Sequence, residues 1–391
     1  MAEGAQVHSL ISFSMSSLGT GFFRNLLMLL LPLTASSKSM RAPKTSSLFP
    51  LRAASTAASQ YIQEASLLAM LASEAGERKL IEAAVEAIGR ISAPLQIGDD
   101  VAVVDAGGIG LVLKTDMLVA STDVPPQMAP WQVGWKAVVM NVSDMAAKGV
   151  KPAAGVLAIG VPGDYRLEDF KLLIKGASDA AREYGFEIVG GDTNACRELV
   201  VAVALAGVAK RIVPRSGAKP GDILATTGYF GLASAGLKHL LEGLPARPGD
   251  REALVKPVLE PKARLREGLA LAPYASASID SSDGLAWSVH ELAKASGVGF
   301  RIEHIPIAPE AASFAEDNSL SPLDLALYGG EEYELVVTIP PESWSAAAKA
   351  VEEAGGRLIR VGVATREKHV VAVVDGREVE VEPRGYEHFL T

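Results

Sequence analysis

From about Ser73 onward the apolar and polar positions fall into regular periods. Residues 78–89 set Leu80, Ile81, Ala84, Val85 and Ile88 on one face of a helix. Short β-like runs follow at Val101–Val104, Leu111–Lys114 and Val119–Ser121, with the Gly107–Gly110 segment as a tight turn between strands. Trp131 to Lys148 reads as a long helix of mostly small residues, suited to close packing on a sheet. Val156–Val161 predicts a strand, and Leu167–Tyr184 a helix opened by the acidic turn Glu168-Asp169. Glu187–Val189 predicts a strand running into Gly190-Gly191, and Leu199–Val208 a long apolar one. The turn-rich segment Arg215–Asp222 marks a boundary, giving domains at 73–212 and 213–391. Beyond it the pattern predicts strands at Ile223–Thr226, Ser276–Ile279, Glu334–Ile339 and Val370–Val374. Helices are expected near Gly228–Gly236, at Trp287–Ser296 and at Ser343–Ala354. Alternation of strand and helix through both halves predicts an α/β or α+β class.

Residues 1–72 do not share this pattern and form an extension. They are rich in Ser, Ala and Leu, with Arg24, Lys38, Arg41 and Lys44 and almost no acids. The apolar run Leu26–Leu33 is too short for a membrane span, which needs ~20 residues. It fits a signal-peptide core, an organelle presequence, or translation from an upstream start codon with the working start near Met70. The last reading is favoured, because the globular pattern begins at Glu77-Arg78-Lys79-Leu80-Ile81.

The 391 residues are 49% hydrophobic, enough for two cores, and carry a formal net charge of -9. That acidic balance excludes a nucleic-acid partner, since a phosphate backbone requires a basic surface, but leaves ATP open. A single cysteine, Cys196, permits no intrachain disulfide and no thiolate metal cluster; it reads as a small apolar residue.

The chemistry lies in the aspartates. Asp99-Asp100 precede a strand, Asp116 ends one, Asp144 sits on the long helix, Asp192 follows a diglycine, and Asp280 and Asp283 flank a strand end. One such Asp is ordinarily a turn residue or a helix cap. Several in apolar settings raise one another's pKa, a cost that a shared cation removes. Carboxylates without His or Cys partners suit Mg²⁺, Mn²⁺ or Ca²⁺, and Mg²⁺ shares itself between carboxylates and phosphates. Gly191 allows close approach of a phosphate, and Arg215 is a candidate phosphate cation. No P-loop and no protein-kinase signature is present, so ATP would bind by another architecture.

Taken in order, Ile-Gly-Asp-Asp100, Lys-Thr-Asp116, Asn-Val-Ser-Asp144, Gly-Gly-Asp-Thr193, Arg-Ser-Gly-Ala-Lys-Pro-Gly-Asp222, Asp-Ser-Ser-Asp-Gly284, Gly-Gly-Glu-Glu332 and Gly-Tyr-Glu-His-Phe389 resemble thiamine-monophosphate kinase. That family lies within the aminoimidazole ribonucleotide synthase superfamily, and Ser121–Pro126 looks like its archaeal form. The resemblance covers about 73–391 and implies a cytoplasmic homodimer. Its N-terminal sheets would close an intersubunit β-barrel that binds ATP and Mg²⁺, each backed by a C-terminal α/β layer. It implies direct phosphoryl transfer from ATP to thiamine monophosphate with several magnesium ions. By position, Asp100, Thr115, Asp116, Asp144, Asp192, Asp280 and Asp283 would ligate metal, while Gly191, Asp192, Arg215 and Ser282 would contact ATP. Asp116, Asp192 and Arg215 would carry the transfer, and Asp123, Glu331 and Tyr386 would face thiamine. Asp123 stands where bacterial members have His, and Glu331-Glu332 replaces the usual Glu-Asp, which leaves both acids open as the substrate contact.

Other readings stay on the same scaffold. A selenophosphate synthetase would want a reactive Cys near its start, and a hydrogenase-maturation protein a Cys-bearing tail. The chain has neither; a ribonucleotide synthase, or a non-catalytic nucleotide- or metal-binding protein, remains as an alternative.

Overall fold

The computed structural model describes residues 70–388 except 90, 92 and 96. The expectations for the N-terminal extension therefore lie outside the described residues. In chain order the first part holds α1 (Ala72–Ile88), β1 (Ala102–Asp105), β2 (Gly110–Val119), the short turn α2 (Ala120–Asp123), α3 (Pro130–Ala147), β3 (Pro152–Val161), α4 (Leu167–Glu183), β4 (Glu187–Ala195) and β5 (Val200–Ala209). The second holds β6 (Ile223–Thr226), α5 (Leu232–Leu237), α6 (Arg251–Leu259), α7 (Leu265–Leu271), β7 (Ala277–Ser281), α8 (Leu285–Ser296), β8 (Gly299–Ile302), α9 (Pro309–Asp317) and α10 (Pro322–Tyr328). It ends with β9 (Glu334–Ile339), α11 (Trp344–Glu353), β10 (Ile359–Thr365), β11 (Val370–Val374) and β12 (Arg377–Glu380).

The strands form a five-stranded sheet, β1-β2-β5-β3-β4, and a seven-stranded sheet, β12-β11-β8-β10-β6-β9-β7. Three expectations need correction. Residues 120–123 turn helically instead of extending, because the Asp123 carboxylate accepts the Val119 amide at 2.7 Å and closes a local turn. The diglycine lies within β4, paired to β3, instead of following a strand. β8, β10 and β12 carried no strand signal: β8 and β12 have four residues each, and Arg360 and Gly362 interrupt the apolar run of β10.

Helix α3 joins the two sheets. Its Val138, Val139, Val142 and Met145 are fully buried in one core with Val203 and Leu205 of β5 and with Leu335, Val337 and Ile339 of β9. β9 reads as a continuous apolar run because both its faces are covered: Val336 belongs to the second core with Phe300 and Leu285. Against α4, the helix approaches closely. A Cβ at Gly134 would lie 1.9 Å from the Leu173 carbonyl, and one at Gly176 1.8 Å from that of Trp131.

Alternation along the first sheet sorts its residues between two faces. Val112, Leu118, Val203 and Leu157 face α3 and are buried. Val104, Leu113, Met117, Val156 and Val208 face away, and each is 40% or more exposed. The apolar face expected at the start of the domain is also open, with Leu80, Ile81 and Ile88 exposed on α1. What holds α1 is its beginning. Gly76 breaks the helix at φ 73, and Arg78 then pairs with Glu387 at 3.2 Å and lies 3.6 Å over the Trp287 ring.

Candidate active site

Three elements meet at the centre of the described unit. Asp100 enters from the loop before β1, Asp144 from the inner face of α3 and Asp280 from the end of β7. All three are buried, with one oxygen of each within 4.8 Å of the others. The Ser143 hydroxyl donates to Asp280 at 2.8 Å. Asp116 approaches from β2, its amide donating to the Asn141 side chain of α3 at 2.7 Å.

Electrostatics follow from this crowding. Burial, then the neighbouring Asp280, holds the Asp144 carboxyl well above its ordinary value. Burial, then Asp100, pushes Asp280 up to about 6. Asp283 rises to about 7 through burial, Asp280 and Glu77. Asp100 goes the other way: burial would raise it, but Lys148 and Arg215 hold it below the usual range. Carboxylate oxygens alone, mutually repelling and partly proton-holding, fit a hard divalent cation such as Mg²⁺.

The lysines in this cluster were not anticipated from sequence. Lys114 lies 2.8 Å from Asp116 and 2.9 Å from Asp144. Lys148, with no exposed surface, pairs with Asp99 and Asp100 at 2.7 Å each and donates to the Ser278 carbonyl at 2.6 Å. Arg215, in the link between the sheets, donates from Nε to Asp100 at 2.6 Å and from its amide to Asp99 at 3.0 Å. The available signals were Lys114 two residues before Asp116 on one strand face, and Lys148 one helical turn after Asp144.

A second cluster lies toward the chain's end. Tyr386 hangs from Asp283, its amide donating to that carbonyl at 3.0 Å, and it feels the charges of Asp123, Glu331, Glu77 and Asp283. Burial and those acids together raise its phenol. Glu331 pairs with buried Lys136 of α3, whose ammonium also donates to the Asp123 carbonyl at 2.8 Å. The two neighbouring glutamates are held differently. Glu332 accepts the amides of Gly231 at 2.6 Å and Ala233 at 3.2 Å, so its carboxylate is occupied at the start of α5. Glu331 is the one turned toward Tyr386 and Asp123.

Residues 98–209 match the family described as AIR synthase related protein, N-terminal domain, and residues 219–375 its C-terminal domain. The thiamine-monophosphate kinase of Nitrosopumilus maritimus is 38% identical over 282 residues, covering 71% of this chain and 89% of its own length. That of Pyrococcus horikoshii is 40% identical over 249 residues, 63% of this chain and 78% of its own. The chain belongs to the thiamine-monophosphate kinase family. Among solved structures, AaThiL complexed with AMPPCP and TMP superimposes with a TM-score of 0.73 at 31% identity, covering 82% of this chain and 99% of its own. A hydrogenase maturation protein HypE in complex with ATP, 19% identical with a TM-score of 0.60, shares the fold alone.

Within this thiamine-monophosphate kinase family member the expected site residues divide. Asp100, Asp116, Asp144, Asp280, Asp283 and Arg215 converge. Asp123, Glu331 and Tyr386 gather beside them. Ser282 is exposed at the end of β7, its carbonyl accepting the Glu331 amide at 2.6 Å. Thr115, Gly191 and Asp192 are exposed and do not join the buried cluster. Thr115 points opposite to Lys114 and Asp116, and Asp192 pairs in register with exposed Ala158 on the open face of the sheet. Cys196, read as a small apolar residue, is exposed at the end of β4.

Proposed function

We propose that this protein transfers the γ-phosphoryl group of ATP to thiamine monophosphate, giving ADP and thiamine diphosphate. The observation that carries this reading is the buried Asp100–Asp144–Asp280 cluster with Lys114, Lys148 and Arg215 around it. It lies in a chain 38% identical to a thiamine-monophosphate kinase and similar in structure to one solved with AMPPCP and TMP. Asp100, Asp116, Asp144, Asp280 and Asp283 would hold Mg²⁺, which when bound neutralises phosphate charge and orients the polyphosphate. Arg215 and Lys114 are the cations that would pair with phosphate oxygens. Asp123 and Tyr386 would face the thiamine ring system, the phenol ring against a cationic heterocycle. Transfer by positioning and charge neutralisation needs no covalent nucleophile. Gly191 and Ser282 would contact ATP from exposed positions, and Thr115 and Asp192 would meet metal or ATP on the open face of the sheet, apart from the buried acids, with 73–212 and 213–391 as the two functional domains.

The test is an endpoint assay of the full chain with ATP, Mg²⁺ and thiamine monophosphate, reading thiamine diphosphate as its fluorescent thiochrome. A folded, ATP-binding protein that makes no product would sink the proposal.

Metal loading should depend on pH. Asp280 and Asp283, raised to about 6 and about 7, hold protons in the folded state that the unfolded chain releases near 4. The folded state therefore loses stability as pH rises from 4 to 7, and a divalent cation that replaces those protons restores it. Saturating Mg²⁺ is expected to raise the melting temperature more at pH 8 than at pH 6; differential scanning fluorimetry at both values decides it.

We further propose a homodimer in the cytoplasm. Support for the dimer is the open apolar face of the first sheet, with Met117 58%, Val156 42% and Val208 61% exposed. A partner's sheet on that face would complete a barrel. Val208→Glu is expected to halve the mass seen by multi-angle light scattering; an unchanged mass counts against this face. Among the described residues no helix is long and apolar enough to cross a membrane.

A further inference from the structure

Lys136 is a charged side chain on α3 that the transfer reaction does not use. It is 1% exposed, and its ammonium touches two groups: the Asp123 carbonyl at 2.8 Å and Oε1 of Glu331. The second contact joins the helix of the first sheet to the loop that leads into β9 of the second.

Glu331 is fixed from its main chain as well. Its backbone sits in the left-handed region at φ 67, and Tyr333 follows at φ 53. The Glu331 and Tyr333 amides donate to the carbonyls of Ser282 and Ser281 at 2.6 and 3.0 Å. A non-glycine residue held in that region by its surroundings is the kind of local cost that collects at binding sites.

What this anchoring leaves over is one atom. Oε2 of Glu331 is buried and meets no donor among the described residues. Buried carboxylate oxygens normally find a donor, and leaving one without costs stability. The opposite charge of Glu331 is already in contact with it, through Lys136. The pair is close to neutral as a unit, so it offers little attraction to a cation and one well-placed acceptor to an N–H group.

We propose that Lys136 is a positioning residue that turns Glu331 into a fixed, charge-compensated hydrogen-bond acceptor, and that Oε2 reads the 4-amino group of the substrate's pyrimidine and not the charge of its thiazolium. This rests on the thiamine-monophosphate reading and makes it more specific. The positive ring is left to the acids around Tyr386 that pair with no lysine among the described residues, among them Glu77 and Asp283.

The experiment compares thiamine monophosphate with its 4-oxo analogue, in which a carbonyl replaces the amine and would face Oε2 acceptor to acceptor. The wild-type enzyme is expected to prefer the amine by at least about 100-fold in kcat/KM. Glu331→Gln, which carries a donor and an acceptor in the same shape, is expected to shrink that preference to about fivefold or less. Lys136→Met keeps the volume and removes the anchor. It is expected to raise KM for thiamine monophosphate by about tenfold or more while KM for ATP stays within about twofold. Three results would overturn the assignment: no preference in the wild type, full preference kept by Glu331→Gln, or equal rises in both KM values for Lys136→Met. A wild-type enzyme that turns over neither compound overturns the kinase reading itself, and this inference with it. Glu331→Gln tests the acceptor even if Lys136→Met does not fold.

Discussion

Asp280→Asn is expected to lower kcat by about 10²–10³-fold, the scale set by removing one charge-stabilising group from an active centre. The same substitution should make the metal-free protein more stable at pH 8. Asparagine keeps an oxygen for the Ser143 hydroxyl, which donates to Asp280 at 2.8 Å, and removes a charge crowded against Asp100 and Asp144. The sign follows from linkage. Burial, then Asp100, pushes Asp280 up to about 6, above the ordinary carboxylate range, so its ionised form is penalised in the native state. The penalty builds as pH rises from 4 to 6 and is complete above that. The stability gain should thus be full at pH 8 and vanish at pH 4, as read by urea unfolding. Lost activity with lost stability at pH 8 would instead make Asp280 a structural residue.

Gly176→Ala is expected to lower stability by at least about 2 kcal/mol, the cost of overpacking a rigid contact. The melting temperature should fall by roughly 4–8 °C. The added methyl would sit 1.8 Å from the Trp131 carbonyl and 2.7 Å from its carbon, and both belong to backbone that cannot rotate aside. Relief requires α4 to withdraw from α3. Since α3 carries Asn141, Ser143 and Asp144 and is anchored through Lys136 and Lys148, kcat should fall with stability. Circular dichroism melts and the assay on the same preparation test both parts.

The sequence pointed to the acids and to Arg215 but not to the lysines that balance them. Asp100, Asp116, Asp144 and Asp280 stood out because carboxylates in apolar settings are locally anomalous, and their motifs are short. Lys114, Lys136 and Lys148 carried no such mark. A lysine on a helix or strand is ordinarily solvated, and only a carboxylate brought to it by the fold makes burial tolerable. Lys136 meets Glu331 across 195 residues, and Lys148 meets Asp99 and Asp100 from outside its own helix. The different settings of Glu331 and Glu332 were illegible for the same reason: what occupies Glu332 is the start of α5, a hundred residues earlier.

Element type was legible where periodicity was strong. α3, α4, β5 and β9 follow directly from runs whose period matches the face they bury. The N-terminal apolar stripe, by contrast, was real but led to a face that stays open: Leu80, Ile81 and Ile88 are exposed, and α1 is held by Arg78 instead. A pattern of hydrophobic positions reports that a face needs covering, not what covers it.

By itself, then, the sequence determined the strand-and-helix alternation, the set of aspartates in apolar settings and the family resemblance, because propensity, periodicity and motif spacing are properties of neighbouring residues. Only the tertiary structure decided which acids share one site, which cations balance them, and that Thr115 and Asp192 face away. Those depend on which strand faces which helix, and a side-chain position shifted by one residue along a strand reverses its face.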